Sequence, residues 1–234
     1  MIQTLRKLWN EATQLFYPEY CILCGRLLIA DERQICLHCL FDLPRTHYHG
    51  RTDRPMESLF SGFPQVKDVF SFLFFEREGT AQTLIHSFKY RNNKYLAEAL
   101  GEIAGTEMRA DGLFCDVDCL IPVPLHPKKK RMRGYNQSEW IAKGIANVYQ
   151  IPVYEKAVTR RVYTMSQTRK TTYDRRLNVE KIFAVNDMQI LAGQHVLLID
   201  DVITSGATTT SCIEALTVVP DIRISVFSLA FAGS

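Results

Sequence analysis

Apolar positions recur along this chain in two rhythms, and the switches between them outline the fold. Residues 3–16 place Leu5, Leu8, Trp9, Ala12 and Leu15 at helical spacing, an amphipathic helix that Pro18 ends. Residues 79–90 and 94–109 read as helices, with Leu84, Ile85 and Phe88 on one apolar face and Leu96, Leu100 and Ile103 on the other. Residues 137–149 and 207–216 are further helices, the former opened by Asn136 as a cap. Buried, β-branched or aromatic runs at 66–75, 117–123, 153–159, 194–199 and 222–231 read as strands. Strands alternating with helices predict an α/β fold, a mostly parallel sheet flanked by helices. Ligands of such sheets bind at the carboxyl ends of strands, which directs attention to the positions just after Val123 and Ile199. Residues 44–64 are weakly periodic and rich in turn formers, so we expect a small module over 1–50 and the main domain over 64–234.

Composition changes this picture little. The 234 residues suffice for one α/β domain plus a small module, and the 47% hydrophobic and 23% charged content is globular. No apolar run is long enough to span a bilayer, so membrane insertion is not expected. The first twenty residues lack a signal-peptide pattern, which predicts a cytosolic protein. Charge adds more. Between Lys128 and Arg176 thirteen Lys and Arg face three acids, although the whole chain carries only +3. Such a segment serves phosphorylated ligands or nucleic acid, or is simply a solvated loop.

Residues 196–210 read VLLIDDVITSGATTT. A buried strand here stops at two adjacent carboxylates, Asp200 and Asp201, and a short loop leads into a helix. Thr204, Ser205 and Thr208 offer hydroxyls, and Gly206 lets the backbone turn and approach a ligand. Free amides at the helix start, with the positive end of its dipole, form an anion site. A phosphate cradle beside an acid pair that accepts hydrogen bonds from sugar hydroxyls suits a ribose 5-phosphate. An ordinary strand–turn–helix with capping acids is the alternative. The pattern resembles the phosphoribosyl-pyrophosphate (PRPP) fingerprint of type I phosphoribosyltransferases. That resemblance implies Asp200 and Asp201 on the ribose hydroxyls, and Thr204, Ser205, Gly206, Ala207 and Thr208 on the 5′-phosphate. Thr204 stands where 6-oxopurine-salvaging members carry an Asp, which disfavours that activity.

By the same resemblance Pro122, Val123, Pro124, Leu125 and His126 occupy the position of the pyrophosphate loop. Mg²⁺ would bridge the phosphates there. The run from Lys128 to Arg133 supplies cations or is a solvated surface. Residues 160–178 are polar, basic and aperiodic, and fall where the superfamily keeps its catalytic hood. Gln167, Arg169, Lys170 and Arg175 are its candidate catalytic residues, closing over pyrophosphate.

Cys21, Cys24, Cys36 and Cys39 form two CxxC knuckles, the ligand pattern of a structural zinc site. Two disulfides are the alternative, and His38 could replace one thiolate. Cys115, Cys119 and Cys212 are expected to be buried, reduced thiols.

A four-cysteine zinc ribbon joined to a phosphoribosyltransferase-like domain, with IHSFKYRNNKYLAEALG, IPVPLHPKKKRMRGYNQSEWIA and TRRVYTMSQTRKTTYDRRLNVEKIF, resembles the ComF/GntX family of bacteria. The resemblance implies a phosphoribosyltransferase-like protein, in some members linked to natural competence, with PRPP, single-stranded DNA and competence-machinery proteins as candidate partners. Two functions compete. One is a Mg²⁺-dependent phosphoribosyltransferase or PRPP binder of undefined acceptor. The other is a single-stranded DNA-binding factor that keeps the fold without the transfer, using Tyr135, Trp140, Tyr149, Tyr163 and Tyr173 within the basic segment. A PRPP-responsive regulator is a third reading.

Overall fold

The structure, a computed structural model, describes residues 18–29, 32–47, 55–90, 93–161 and 182–233. The helix expected at 3–16, and Gln167, Arg169, Lys170 and Arg175 of the expected hood, lie outside these residues.

In chain order the elements are α1 (Leu37–Phe41), a 3-10 turn (Glu57–Phe60), β1 (Val66–Phe74), α2 (Thr80–Tyr90), α3 (Lys94–Ala110), β2 (Cys119–Pro122), α4 (Pro127–Arg133), α5 (Gln137–Tyr149), β3 (Val158–Arg160), β4 (Phe183–Val185), β5 (His195–Ile203), α6 (Ala207–Leu216) and β6 (Arg223–Phe231). Four strands form a parallel sheet in the order β1-β6-β5-β2. β3 and β4 pair as a separate antiparallel ribbon. The mostly parallel sheet flanked by helices is the architecture expected from the alternation of periods.

Period two along β5 divides the core. Leu197 and Ile199 pack with α2, α3 and α5 through Leu84, Phe88, Leu100 and Ile141. Val196 and Leu198 pack with α6 through Cys212, Ile213 and Leu216. Adjacent residues of this strand therefore address opposite faces, which matters for the acid pair that follows.

Three expectations need correction. β5 does not stop at the acid pair but runs to Ile203, because β6 remains apolar as far as Phe231 and keeps pairing with it (Val202 with Ala230, Ile203 with Phe231). The strand expected at 153–159 is reduced to a bridge between Val153 and Leu120, a turn, and β3. Cys119 and Cys212 are buried as expected, but Cys115 is exposed, in the turn after α3.

α3 and α5 cross at backbone contact. A Cβ added at Gly144 would lie 2.1 Å from the Glu98 carbonyl oxygen, and one at Gly101 2.3 Å from that of Ile141. Neither neighbour is a flexible side-chain tip. Gly144→Ala should therefore destabilise the fold by about 1–3 kcal/mol or more through overpacking, despite the roughly 1 kcal/mol gain in helix propensity. Gly62, with nothing near its virtual Cβ, is the control. Urea denaturation should show Gly144→Ala weakened and Gly62→Ala unchanged; equal midpoints would refute the close crossing.

Candidate functional site

β2 ends at Pro122, opposite Ile199, while β6 continues beside β5. The main-chain pairing closes with the Val123 amide donating to the Ile199 carbonyl at 2.8 Å. Asp200 and Asp201 thus stand where β5 is covered by a strand on one side only, at the carboxyl edge of the sheet. Their backbone alternation sends them to opposite faces. Asp200 accepts from the Thr209 hydroxyl of α6 at 2.9 Å and from the Asp201 amide at 2.9 Å. Asp201 instead meets the Lys89 ammonium of α2 at 2.9 Å. Both residues are buried.

Gly206 has φ 72° and is the N-cap residue of α6, a conformation in which a side chain is strained. Its virtual Cβ lies 3.3 Å from Leu59 Cδ1, so the 3-10 turn walls this loop. Thr204, Ser205, Ala207 and Thr208 are exposed around it. The first amides of α6, which follow this loop, have no intrahelical acceptors.

Pro122, the last residue of β2, and Val123 are buried, and Pro124, Leu125 and His126 after them are half-buried. His126 caps α4 through Nδ1, which accepts from the Lys128 amide at 3.2 Å, and Pro127 follows at the first helical position. The charged run Lys128–Arg133 is thereby a helix rather than an open loop. Asn136 occupies the N-cap position of α5 but does not cap it with its side chain. Its Nδ2 donates instead to the Val123 carbonyl at 3.0 Å, tying the start of α5 to the end of β2. The Tyr135 hydroxyl donates to the Phe88 carbonyl, which pins the end of α2 and with it Lys89.

The surrounding charges converge from three elements. The Lys129 ammonium is held below its ordinary range, first by burial and then by Arg160, Arg133 and Lys89, with Asp201 opposing. Burial also weakens the charged form of Arg160, which Asp200 counteracts; its guanidinium lies over the Phe183 ring at 5.3 Å. Asp200 is pushed up to about 7, chiefly by burial and then by the charge of Asp201. Lys89 and Arg160 interact with the acid pair directly and Lys129 lies within reach of Asp201, with Arg133 adding to the positive field around Lys129, surroundings suited to a polyanion.

The raised Asp200 pKa has a stability consequence. A carboxyl whose folded pKa exceeds its unfolded value contributes stability below about pH 4 and loses it as pH rises through about 7. Asp200→Asn removes that loss. The melting midpoint of the variant should match wild type near pH 4 and exceed it increasingly up to about pH 7. Each kcal/mol corresponds to roughly 2–4 °C at this chain length. A gap that does not depend on pH would contradict the burial argument.

The four N-terminal cysteines meet as well. All four sulfurs lie within 4.8 Å of one another. The Cys24 and Cys36 sulfurs are 3.7 Å apart, close to the edge of about 3.8 Å that a tetrahedron with Zn–S bonds near 2.3 Å requires. All seven cysteines are free thiols. Gly25, at φ 70°, closes the first knuckle by donating to the Cys21 carbonyl at 2.9 Å, and the Cys36 sulfur accepts from the Cys39 amide at 3.5 Å. Buried Glu32 braces the cluster, taking the Ile29 and Leu37 amides at 2.9 and 2.8 Å and pairing with Arg26. His38 is exposed and pairs with Asp42, outside the sulfur set. A four-sulfur set of this shape fits a tetrahedral, thiophilic ion.

Lys89, Thr209 and Arg160 complete the acid-pair environment, and none belongs to the candidate set read from the sequence. Their one signal is placement: Lys89 is the cation in the last turn of an apolar helix, directly after the buried Phe88.

The geometry defines a parallel α/β domain with an acid pair and a helix-start loop at its carboxyl edge, joined to a four-cysteine cluster. No family model matches the chain. It is 27% identical over 202 residues to the DNA utilization protein YhgH of Escherichia coli O157:H7, covering 84% of this chain and 83% of that protein. It is 28% identical over 153 residues to Competence protein F of Haemophilus influenzae, covering 64% and 67%. The chain is thus a homologue of proteins with these names, in keeping with its resemblance to ComF proteins. Among solved structures, the glutamine PRPP amidotransferase of B. subtilis, complexed with ADP and GMP, aligns at a TM-score of 0.41 and 15% identity. That alignment covers 61% of this chain and 30% of the amidotransferase. Among the described residues no helix is long and apolar enough to cross a membrane.

Proposed function

We propose that this chain binds PRPP with Mg²⁺ at the carboxyl edge of its sheet, as a phosphoribosyltransferase-type protein serving DNA uptake or nucleotide metabolism. The observation that carries this reading is the acid pair in β5 beyond the end of β2, beside the first turn of α6 and in contact with Lys89. The loop Thr204–Thr208 would hold the 5′-phosphate through amides and hydroxyls. Asp200 and Asp201 would take the ribose hydroxyls. Residues 122–126, backed by Lys129 and Arg160, would face the pyrophosphate, with Gln167, Arg169, Lys170 and Arg175 closing over it. Mg²⁺, when bound, would neutralise phosphate charge as pyrophosphate leaves. Cys21, Cys24, Cys36 and Cys39 would hold a structural Zn²⁺.

The test is thermal. A ligand that binds only the folded state at one hundred times its Kd stabilises by about 2.7 kcal/mol. PRPP with Mg²⁺ should raise the melting midpoint by several degrees, and ribose 5-phosphate by less. No shift with either would contradict the reading.

A second reading rests on an exposed aromatic surface that adjoins the acid-pair site. Tyr90 and Tyr95 are exposed; Arg133 lies 5.9 Å over the Tyr90 ring, and Lys94 lies 5.2 Å and 4.7 Å over Tyr95 and Trp140. Exposed aromatics beside cations suit single-stranded nucleic acid, and relatives carry DNA-related names. Of the aromatics first expected here, Tyr135 and Tyr149 instead anchor their hydroxyls on the Phe88 and Leu113 carbonyls. Tyr163 and Tyr173 lie outside the described residues. Tyr95→Ala should weaken oligonucleotide binding, and that binding should fall steeply with salt. Salt-independent affinity would rule this surface out.

A further inference from the structure

Three of the four carboxylate oxygens in the acid pair already have partners inside the chain. Asp200 uses one on Thr209 and one on the Asp201 amide. Asp201 gives Oδ2 to Lys89, and its Oδ1 has no hydrogen-bond partner among the described residues. The Lys89–Asp201 contact is sheltered, with side chains 15% and 12% exposed. While Lys89 holds Oδ2, only Oδ1 of Asp201 is left without a partner among the described residues, and a divalent cation bound across this carboxylate would meet the ammonium. The lysine stem is long and flexible, and its backbone is fixed by the Tyr135 bond to the neighbouring Phe88 carbonyl. The ammonium can therefore move without the helix moving. Lys129 lies within electrostatic reach of Lys89, Arg133 and Arg160, so a Lys89 displaced from Asp201 sits in positive surroundings that an incoming anion would relieve.

We propose that Lys89 is an internal counter-cation of the acid pair, displaced when ligand arrives. In the free protein it occupies the place that a divalent cation or ribose hydroxyl would take on Asp201. In the complex it transfers to a phosphate oxygen of the same ligand. The inference rests on the PRPP reading for its second half only. Its consequence is selectivity: the site rejects a bare divalent cation, which brings no anion for Lys89, and accepts a ligand that brings hydroxyls and phosphate together.

Mn²⁺ alone, followed by electron paramagnetic resonance, is the probe, on wild type and on Lys89→Gln and Lys89→Arg. Removing one unit charge a few ångströms from the carboxylates should tighten Mn²⁺ binding in Lys89→Gln by at least about tenfold. Lys89→Arg, which keeps the charge, should bind Mn²⁺ as wild type does. The Gln variant should also bind PRPP with Mg²⁺ more weakly than wild type, so the two affinities move in opposite directions. Unchanged Mn²⁺ affinity in Lys89→Gln, with folding shown by circular dichroism, would overturn the counter-cation role. Tighter Mn²⁺ with no PRPP binding to wild type would uphold that role and reject the PRPP reading instead. PRPP affinity unchanged in Lys89→Gln would overturn the transfer to phosphate.

Discussion

Stripping metal from this protein with a chelator, or replacing Cys36 with serine, should unfold residues 18–46 and lower the stability of the domain they adjoin. The four-cysteine segment has little core of its own; Cys21, Leu28, Ile35, Cys36 and Leu43 are its buried apolar residues. Metal in comparable small sites contributes about 10–16 kcal/mol of apparent folding free energy. Without an ion, four thiols gathered within 4.8 Å would have no bond to hold them together. The damage should spread, because the segment is tied into the main domain at several points. Arg45 grips Glu107 of α3 with a bidentate pair, its closest contact 2.7 Å. The Thr46 amide donates to the Phe72 carbonyl at 3.0 Å, alongside β1. Gln34 accepts from Asn93 at the cap of α3 at 2.7 Å. Hydrogen exchange should therefore show lost protection over residues 18–46 and partial loss at β1 and the start of α3. Atomic absorption should find one zinc per chain before chelation. Full protection after complete metal removal would refute a structural role for the ion.

Periodicity made the architecture legible, since β1, α2, α3, α5, α6 and β6 all fall within about two residues of the stretches read from pattern alone. The acid pair and the cysteine knuckles were legible too, because each is a short local pattern whose chemistry needs adjacent residues. What the sequence hid is long-range. Lys89 meets Asp201 across more than one hundred positions, and no spacing rule links them. Strand β5 passed its expected end because its neighbour β6, rather than its own residues, decides where pairing stops. Tyr90 and Tyr95 escaped notice because they precede the basic segment in sequence and join it only in space. Asn136 was read as a cap from its type and place, whereas its amide holds Val123.

The second large effect falls on Asp201. Its carboxylate is the one member of the pair with an oxygen to spare among the described residues, so it should carry the ribose contact most directly. Asp201→Ala also leaves the sheltered Lys89 without its partner, so any remaining phosphate affinity would be non-selective. Truncating one partner of a buried, hydrogen-bonded charge pair costs about 2–5 kcal/mol in measured complexes, which is thirtyfold or more in affinity by the usual conversion of about 1.4 kcal/mol per decade. The variant should nevertheless fold, since Asp201 lies at the edge of the sheet and the β5–β6 pairing does not use its side chain.

Calorimetric titration of PRPP with Mg²⁺ into wild type and Asp201→Ala is the most direct measurement. Saturable binding at one site per chain in wild type, lost in the variant, is the expected result. Equal binding by both proteins, or none by wild type, would contradict a PRPP site at the acid pair of β5.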